Sequence, residues 1–173
     1  MSDRLPVHLD PVALADRGRA LAGHVPIESF ERLADALHSR EGTLEAELAF
    51  GHDDAGRRVL HGRLRGALEL VCQRCLAPYP LAVDVDVALV LVENEAEADT
   101  LPDELDALVV GTRRSMHTVD MLEDDLILEL PIVPRCNDAA ACRPAVELLD
   151  SEAIEAGEEA PRQRPFAGLD EEH

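Results

Sequence analysis

The sequence contains no lysine and no tryptophan, and its 173 residues hold one tyrosine and three phenylalanines. Aromatics make up 2% of the chain against 46% hydrophobic residues, so a core has to be built from leucine, valine and alanine. The same scarcity removes the stacking platforms on which readers of single-stranded RNA usually rely. No run approaches the ~18 apolar residues of a membrane span. That excludes a helical membrane protein, and the opening Met1-Ser2-Asp3-Arg4-Leu5-Pro6 lacks the apolar h-region of a secretory signal. A cytoplasmic protein is the expectation. In a reducing compartment its four cysteines read as metal ligands or free thiols rather than disulfides. Catalytic signatures are lacking too. There is no Gly-rich phosphate loop and no His-Glu-x-x-His, and the seven histidines are scattered without a nucleophile at motif spacing, so an enzyme is not expected. Positive charge is short overall, with 16 arginines against 36 acids for a net charge of -20. Residues 1–80 carry 12 acids and 10 arginines, net -2, whereas residues 81–173 carry 24 acids and 6 arginines, net -18. Bulk attraction to phosphate is excluded for the second half. An acidic half instead suits solubility or a basic partner.

What is present is a long alternating ribbon over residues 43–92. Leu44, Ala46, Leu48 and Phe50 share one face with Glu45 and Glu47 opposite. Leu60, Leu64, Leu68 and Leu70 share a face with His61, Arg63, Arg65 and Glu69 opposite, and the odd positions from Leu81 to Leu91 repeat the pattern with Asp84 and Asp86 outward. Period two over three runs predicts an antiparallel meander with one wet side. The first two strands both turn even positions inward, so paired residues must sum to an even number. Asp54-Ala55-Gly56 suits a three-residue hairpin with Gly56 left-handed, and a sum of 110 then sets Glu45 against Arg65 and Glu47 against Arg63.

Around the ribbon the pattern predicts shorter elements. Leu5 to Leu9 reads as an extended start. Asp10-Pro11 reads as N-cap and first position of a helix stopped by Gly18, and Leu21, Gly23 and Val25 as a weak strand. Pro26 opens a second predicted helix with Ile27, Phe30, Leu33 or Ala34, and Leu37 on one face. Residues 93–106 hold seven acids and no base, and read as a solvated loop before a short strand at 107–110. Thr118 reads as the N-cap of a helix with Val119, Leu122, Leu126 and Leu130 inward, ended by Pro131. The expectation is one α+β domain over residues 1–144, an antiparallel β-meander of at least three long strands with short helices packed on one face. Residues 145–173, with nine acids and two arginines, read as an acidic, flexible C-terminal tail carrying a small apolar island, Pro165-Phe166-Ala167-Gly168-Leu169.

Two features carry chemistry. Cys72-Gln73-Arg74-Cys75 has the spacing of a zinc knuckle at a strand end, and Cys136 and Cys142 fall in a later irregular segment flanked by Pro134 and Pro144. Together they predict a four-cysteine structural zinc. The bland alternative is a buried strand residue at Cys72 with incidental thiols elsewhere. A redox Cys-x-x-Cys is disfavoured because such motifs usually open a helix after a strand, and here Pro78 and Pro80 follow closely. The second feature is a basic stretch of Arg57, Arg58, Arg63, Arg65 and Arg74. Arg63 and Arg65 face acids on neighbouring strands and read as a charge ladder. Arg57, Arg58 and Arg74 sit at turns and read as freer to contact RNA or another partner.

Several of these residues occur together in a known pattern. Leu70-Val71-Cys72-Gln73-Arg74-Cys75, and the run Leu122-Glu123-Asp124-Asp125-Leu126-Ile127-Leu128-Glu129-Leu130-Pro131-Ile132-Val133-Pro134 before Cys136 and Cys142, resemble the YceD family of large ribosomal RNA subunit accumulation proteins. Leu9-Asp10-Pro11 and Arg164-Pro165-Phe166-Ala167 are similar to that family as well. The resemblance implies a bacterial cytosolic protein that affects synthesis, processing or stability of 23S rRNA, with a metal- or nucleic-acid-binding role and no catalytic residues. The family often has His where this chain has Cys136, an exchange that a zinc position tolerates. The expected function is thus a non-enzymatic ribosome-biogenesis factor whose partner is large-subunit rRNA or a basic ribosomal protein. The alternatives are an acidic adaptor for such a protein, or a metal-dependent nuclease acting on precursor rRNA.

Overall fold

Leucines alternating with charged residues make the three long strands. A computed structural model describes residues 4–111, 115–138 and 142–144. In it β3 (Thr43–His52), β4 (Arg58–Val71) and β5 (Pro78–Val92) pair antiparallel in chain order. β2 (Ala20–Pro26) adds antiparallel to β3, and β6 (Asp106–Val109) adds parallel to β5, giving the order β2-β3-β4-β5-β6. β1 (His8–Leu9) and β7 (Met116–His117) form a separate two-stranded pair. The fold is α+β around an antiparallel meander, as the alternation predicts, with a further strand on each edge. The acidic tail and its apolar island lie outside the described residues.

The register is the one that parity requires. Glu45 lies opposite Arg65 and Glu47 opposite Arg63. Gly56 (φ +78) closes the hairpin, its amide donating to the Asp53 carbonyl at 2.9 Å. A slip by one residue would turn every leucine of a strand to water. The inward row of β4 carries glycine rather than leucine at two positions because β3 needs the space. A Cβ on Gly66 would lie 2.6 Å from Leu44 Cδ2, and one on Gly62 2.9 Å from Leu48 Cδ2.

The inward face is covered by α1 (Pro11–Asp16), α3 (Glu123–Glu129) and the segment between β2 and β3, which together bury Leu44, Leu60, Leu64, Leu68, Phe30 and Leu126. Asp10 caps α1 by accepting from the Ala13 amide at 2.9 Å, and Gly18 (φ +57) follows its end.

Three expectations are corrected. The predicted helix from Pro26 is absent; only 3-10 turns at Ile27–Ser29 and Ala34–Ala36 form, although Ile27, Phe30 and Leu33 are still buried. A helix there would direct the Arg32 and Leu33 amides to carbonyls one turn back. Instead both donate to the Glu123 carboxylate, at 2.8 and 3.3 Å. Thr118 does not cap the last helix with its side chain: its hydroxyl donates to the Pro6 carbonyl, and a 3-10 turn at Val119–Met121 precedes α3. Residues 93–106 are not simply a solvated loop. Asn94 caps a short α2 (Glu95–Ala98), and Ala98, Leu101 and Leu105 cover Val59, Val90 and Val92 on the sheet's other face.

Candidate metal centre

The site grows out of the parity switch between β4 and β5. Beyond Val71 the chain turns within six residues: the Cys72 amide donates to the Ala77 carbonyl at 2.9 Å and the Leu76 amide to the Cys72 carbonyl at 2.8 Å. The turn closes through Leu76, left-handed at φ +59 and 62% exposed. A leucine in that region costs roughly 1–2 kcal/mol, and such strain persists where the surroundings over-determine it. Here backbone amides are aimed at sulfur: those of Cys75 in the turn, Cys136 on the other limb and Arg74 in the turn reach the Cys72 thiol.

The second limb arrives from α3. Pro131 ends that helix, residues 132–135 run without regular structure, and the Pro134 carbonyl accepts the Gln73 amide at 2.9 Å. This bond fastens the limbs to each other just outside the cysteines. The Cys142 amide donates to the Asp138 carbonyl at 2.8 Å, which folds the end of the limb back. The result brings Cys72, Cys75, Cys136 and Cys142 together, with all four Sγ atoms within 4.8 Å of one another. Cys72 Sγ is 3.7 Å from Cys142 Sγ, and Cys75 Sγ 3.9 Å from Cys136 Sγ. All four are free thiols. Leu70, Tyr79, Leu37, Leu81 and Leu130 pack around them.

These residues fit a tetrahedral zinc ion. A Zn–S bond of about 2.3 Å in a tetrahedron places sulfurs about 3.8 Å apart, which the two close pairs already match. Four cysteine donors fill the coordination shell and leave no open position for a reacting water, the arrangement of a structural ion. The electrostatics agree. The amides of Cys75, Cys136 and Arg74 bring Cys72 down to about 5 despite burial. Cys142 is pushed up to about 12 by its hydrogen bond with Cys136 and by burial, and Cys136 is raised as well. One thiolate is therefore ready-made, and Cys136 and Cys142 are held protonated until a cation offsets the repulsion among thiolates.

The arginines divide. Arg63 donates twice to Asp84, at 2.6 and 2.8 Å, and lies 3.5 Å from Asp86. Arg65 lies 3.4 Å from Asp84 and 3.9 Å from Glu47. The cross-strand ladder is thus present. Arg57 and Arg58, read as freer to contact a partner, each meet an acid: Arg57 Nε donates to Asp53 at 2.7 Å and Arg58 Nε to Asp16 at 2.7 Å. Arg74 is exposed, and among the described residues no carboxylate pairs with it. Sequence reasoning passed over Glu123, whose side chain is 5% exposed while it binds two amides and Arg32. Its surrounding run of acids suggested a solvated helix face.

Fold and site together define a class: a β-sheet scaffold carrying a four-thiol clasp, able to hold a metal ion, between two distant chain segments. The chain belongs to the family described as large ribosomal RNA subunit accumulation protein YceD, whose model matches residues 60–171. That match takes in all four cysteines. A curated relative from Haemophilus influenzae, named large ribosomal RNA subunit accumulation protein YceD, is 29% identical over 131 residues, 76% of this chain and 75% of the relative. No solved structure matches. Among the described residues no helix is long and apolar enough to cross a membrane.

Proposed function

We propose that this chain is a non-enzymatic, cytoplasmic ribosome-biogenesis factor that supports accumulation of the large-subunit 23S rRNA, with a structural zinc held by Cys72, Cys75, Cys136 and Cys142. Family membership supports the rRNA role. The observation that carries the zinc is the convergence of four Sγ atoms within 4.8 Å from segments 61 and 70 positions apart. When bound, the ion supplies a charge-neutralising cross-link, tying the acidic second half of the chain to the sheet. Cys72 and Cys75 would hold it from the β4–β5 turn, Cys136 and Cys142 from the limb after α3. The amides around Cys72 keep that thiolate available, and the leucine shell buries Cys72 and Cys142.

The partner is large-subunit rRNA or a basic ribosomal protein. The acidic second half supports the latter as a second reading. Pull-downs should then recover one defined basic protein at low salt and lose it at high salt, and recovery of none would count against it. The main test is cellular. Cells lacking the protein should show a reduced ratio of large- to small-subunit rRNA, restored by the wild type but not by Cys72→Ser at an equal protein level. Full rescue by that variant would contradict the clasp's role. Chelator-sensitive cleavage of precursor rRNA by the purified protein would overturn the non-enzymatic reading in favour of a nuclease.

A further inference from the structure

The clasp does more than gather sulfurs. Each limb carries arginine directly beside cysteine: Arg74 lies between Cys72 and Cys75, Arg135 precedes Cys136, and Arg143 follows Cys142. Because the four sulfurs lie within 4.8 Å of one another, bringing them together also brings these three arginines to one end of the molecule. All three are exposed. Among the described residues none has a carboxylate partner, whereas Arg32, Arg57, Arg58, Arg63 and Arg65 all do. Arg4, Arg17, Arg19 and Arg40 also lack one, but no cluster like the four sulfurs gathers them.

The surroundings are as unusual as the arginines. The chain has 36 acids, yet neither residues 71–77 nor residues 131–136 contain one; Asp138, whose carbonyl accepts the Cys142 amide, is the acid on the limb that carries Arg143. The same two segments expose aliphatic side chains: Leu76 is 62% exposed, Ile132 97% and Val133 48%. The Gln73–Pro134 backbone bond holds the two segments side by side, so the cationic and apolar side chains are carried on adjoining stretches of chain.

We infer that this end of the clasp is an RNA-contact surface, with Arg74, Arg135 and Arg143 on backbone phosphates and Leu76 and Val133 against ribose and base faces. The inference rests on the reading that the chain works on large-subunit rRNA. A protein of net charge -20 repels a polyanion over most of its surface, so it holds one only where acids have been cleared and arginines left unpaired. Guanidinium suits phosphate because its planar fork makes two parallel hydrogen bonds. With aliphatics instead of aromatics beside it, the surface grips the backbone and reads little sequence. This moves the contact from the hairpin tip at Arg57 and Arg58, which are spent on Asp53 and Asp16, to the clasp. It also adds two arginines that the sequence reading passed over.

Three phosphate contacts on single-stranded RNA give a salt slope near −2, or roughly a twenty-fold affinity loss between 50 and 200 mM salt. The test is filter binding of full-length protein to protein-free large-subunit rRNA over that range, with metal content measured for every sample. The triple variant R74E/R135E/R143E should bind at least tenfold more weakly with unchanged metal content and circular dichroism. R57E/R58E should change affinity by less than twofold. Wild-type affinity in the triple variant would overturn the inference, as would an equal loss in R57E/R58E, no binding by wild type at 50 mM, or equally strong competition by poly-glutamate. If the protein proves metal-free while binding still follows the three arginines, the zinc reading fails and the surface stands. If zinc is bound and the triple variant binds normally, only the surface fails.

Discussion

The outer face of β3–β5 and the clasp present the same residue type to water in opposite states. On the sheet, Arg63 and Arg65 meet Asp84, Asp86 and Glu47 across neighbouring strands, and period-two alternation guarantees those acids a place opposite them. At the clasp, Arg74, Arg135 and Arg143 ride on irregular chain, with no strand partner to supply an acid. A dense run of arginine in the sequence therefore marks the neutralised region, while isolated arginines beside cysteine mark the available one. Composition along the chain singles out the paired arginines; topology singles out those beside the cysteines.

The largest effect expected from breaking the contrast is at the sulfurs. Cys72→Ser removes the thiolate that three amides support, and the ion with it. Structural zinc contributes folding free energy directly, so a loss of several kcal/mol should lower Tm by roughly 10 °C. Treating the wild type with chelator should give the same melting curve, whereas an unshifted Tm in either sample would separate the clasp from stability. Metal retention should also fall with pH, because protons compete for thiolate. Acidification should therefore release the ion, and full retention in strong acid would contradict thiolate ligation.

Next in size is a third arginine environment, in which the partner is buried. Glu123→Ala leaves the Arg32 and Leu33 amides without an acceptor, at a cost of about 2–4 kcal/mol in urea unfolding. Glu123→Gln, which keeps one acceptor, should lose about half of that. An effect within experimental error for Glu123→Ala would show that the 30–33 turn holds itself. Smaller again is Gly66→Val, which drives a side chain against Leu44 and should cost about 1–3 kcal/mol by overpacking.

The ladder should give the least. Asp84 sits below the usual carboxylate range chiefly through its hydrogen bond from Arg63. Its folded value is thus lower than its unfolded one, so its stabilisation is present above the ordinary carboxylate pKa and is lost as pH falls through the lowered value. Asp84→Asn should be slightly less stable than wild type at neutral pH, and the two curves should merge in acid. Paired acid titrations check this, and curves that stay apart below that window would contradict it.

Much of the sheet is legible in the sequence because its period is local. Leucine parity over residues 43–92 is enough to choose the register, and Asp54-Ala55-Gly56 fixes the loop length. The sulfur pairs are legible because all four cysteines fall into two of them. What escaped depends on residues distant in the chain. Glu123 reaches 91 positions back to take the Arg32 amide and so prevents a helix that residues 26–37 otherwise favour. Asp16 pairs with Arg58 across 42 positions. Residues 93–106 looked solvated because their acids outnumber Leu101 and Leu105, which cover Val90 and Val92. The unbroken apolar run at the end of β5 was the available signal that both faces of the sheet are buried there.

The central claim is that two distant limbs close around one ion. Elemental analysis of full-length protein purified without added metal tests it most directly. The account predicts about one zinc per chain, lost in Cys72→Ser and in Cys142→Ser alike. Wild-type protein free of metal and with four titratable thiols, or zinc retained undiminished in both variants, would contradict it.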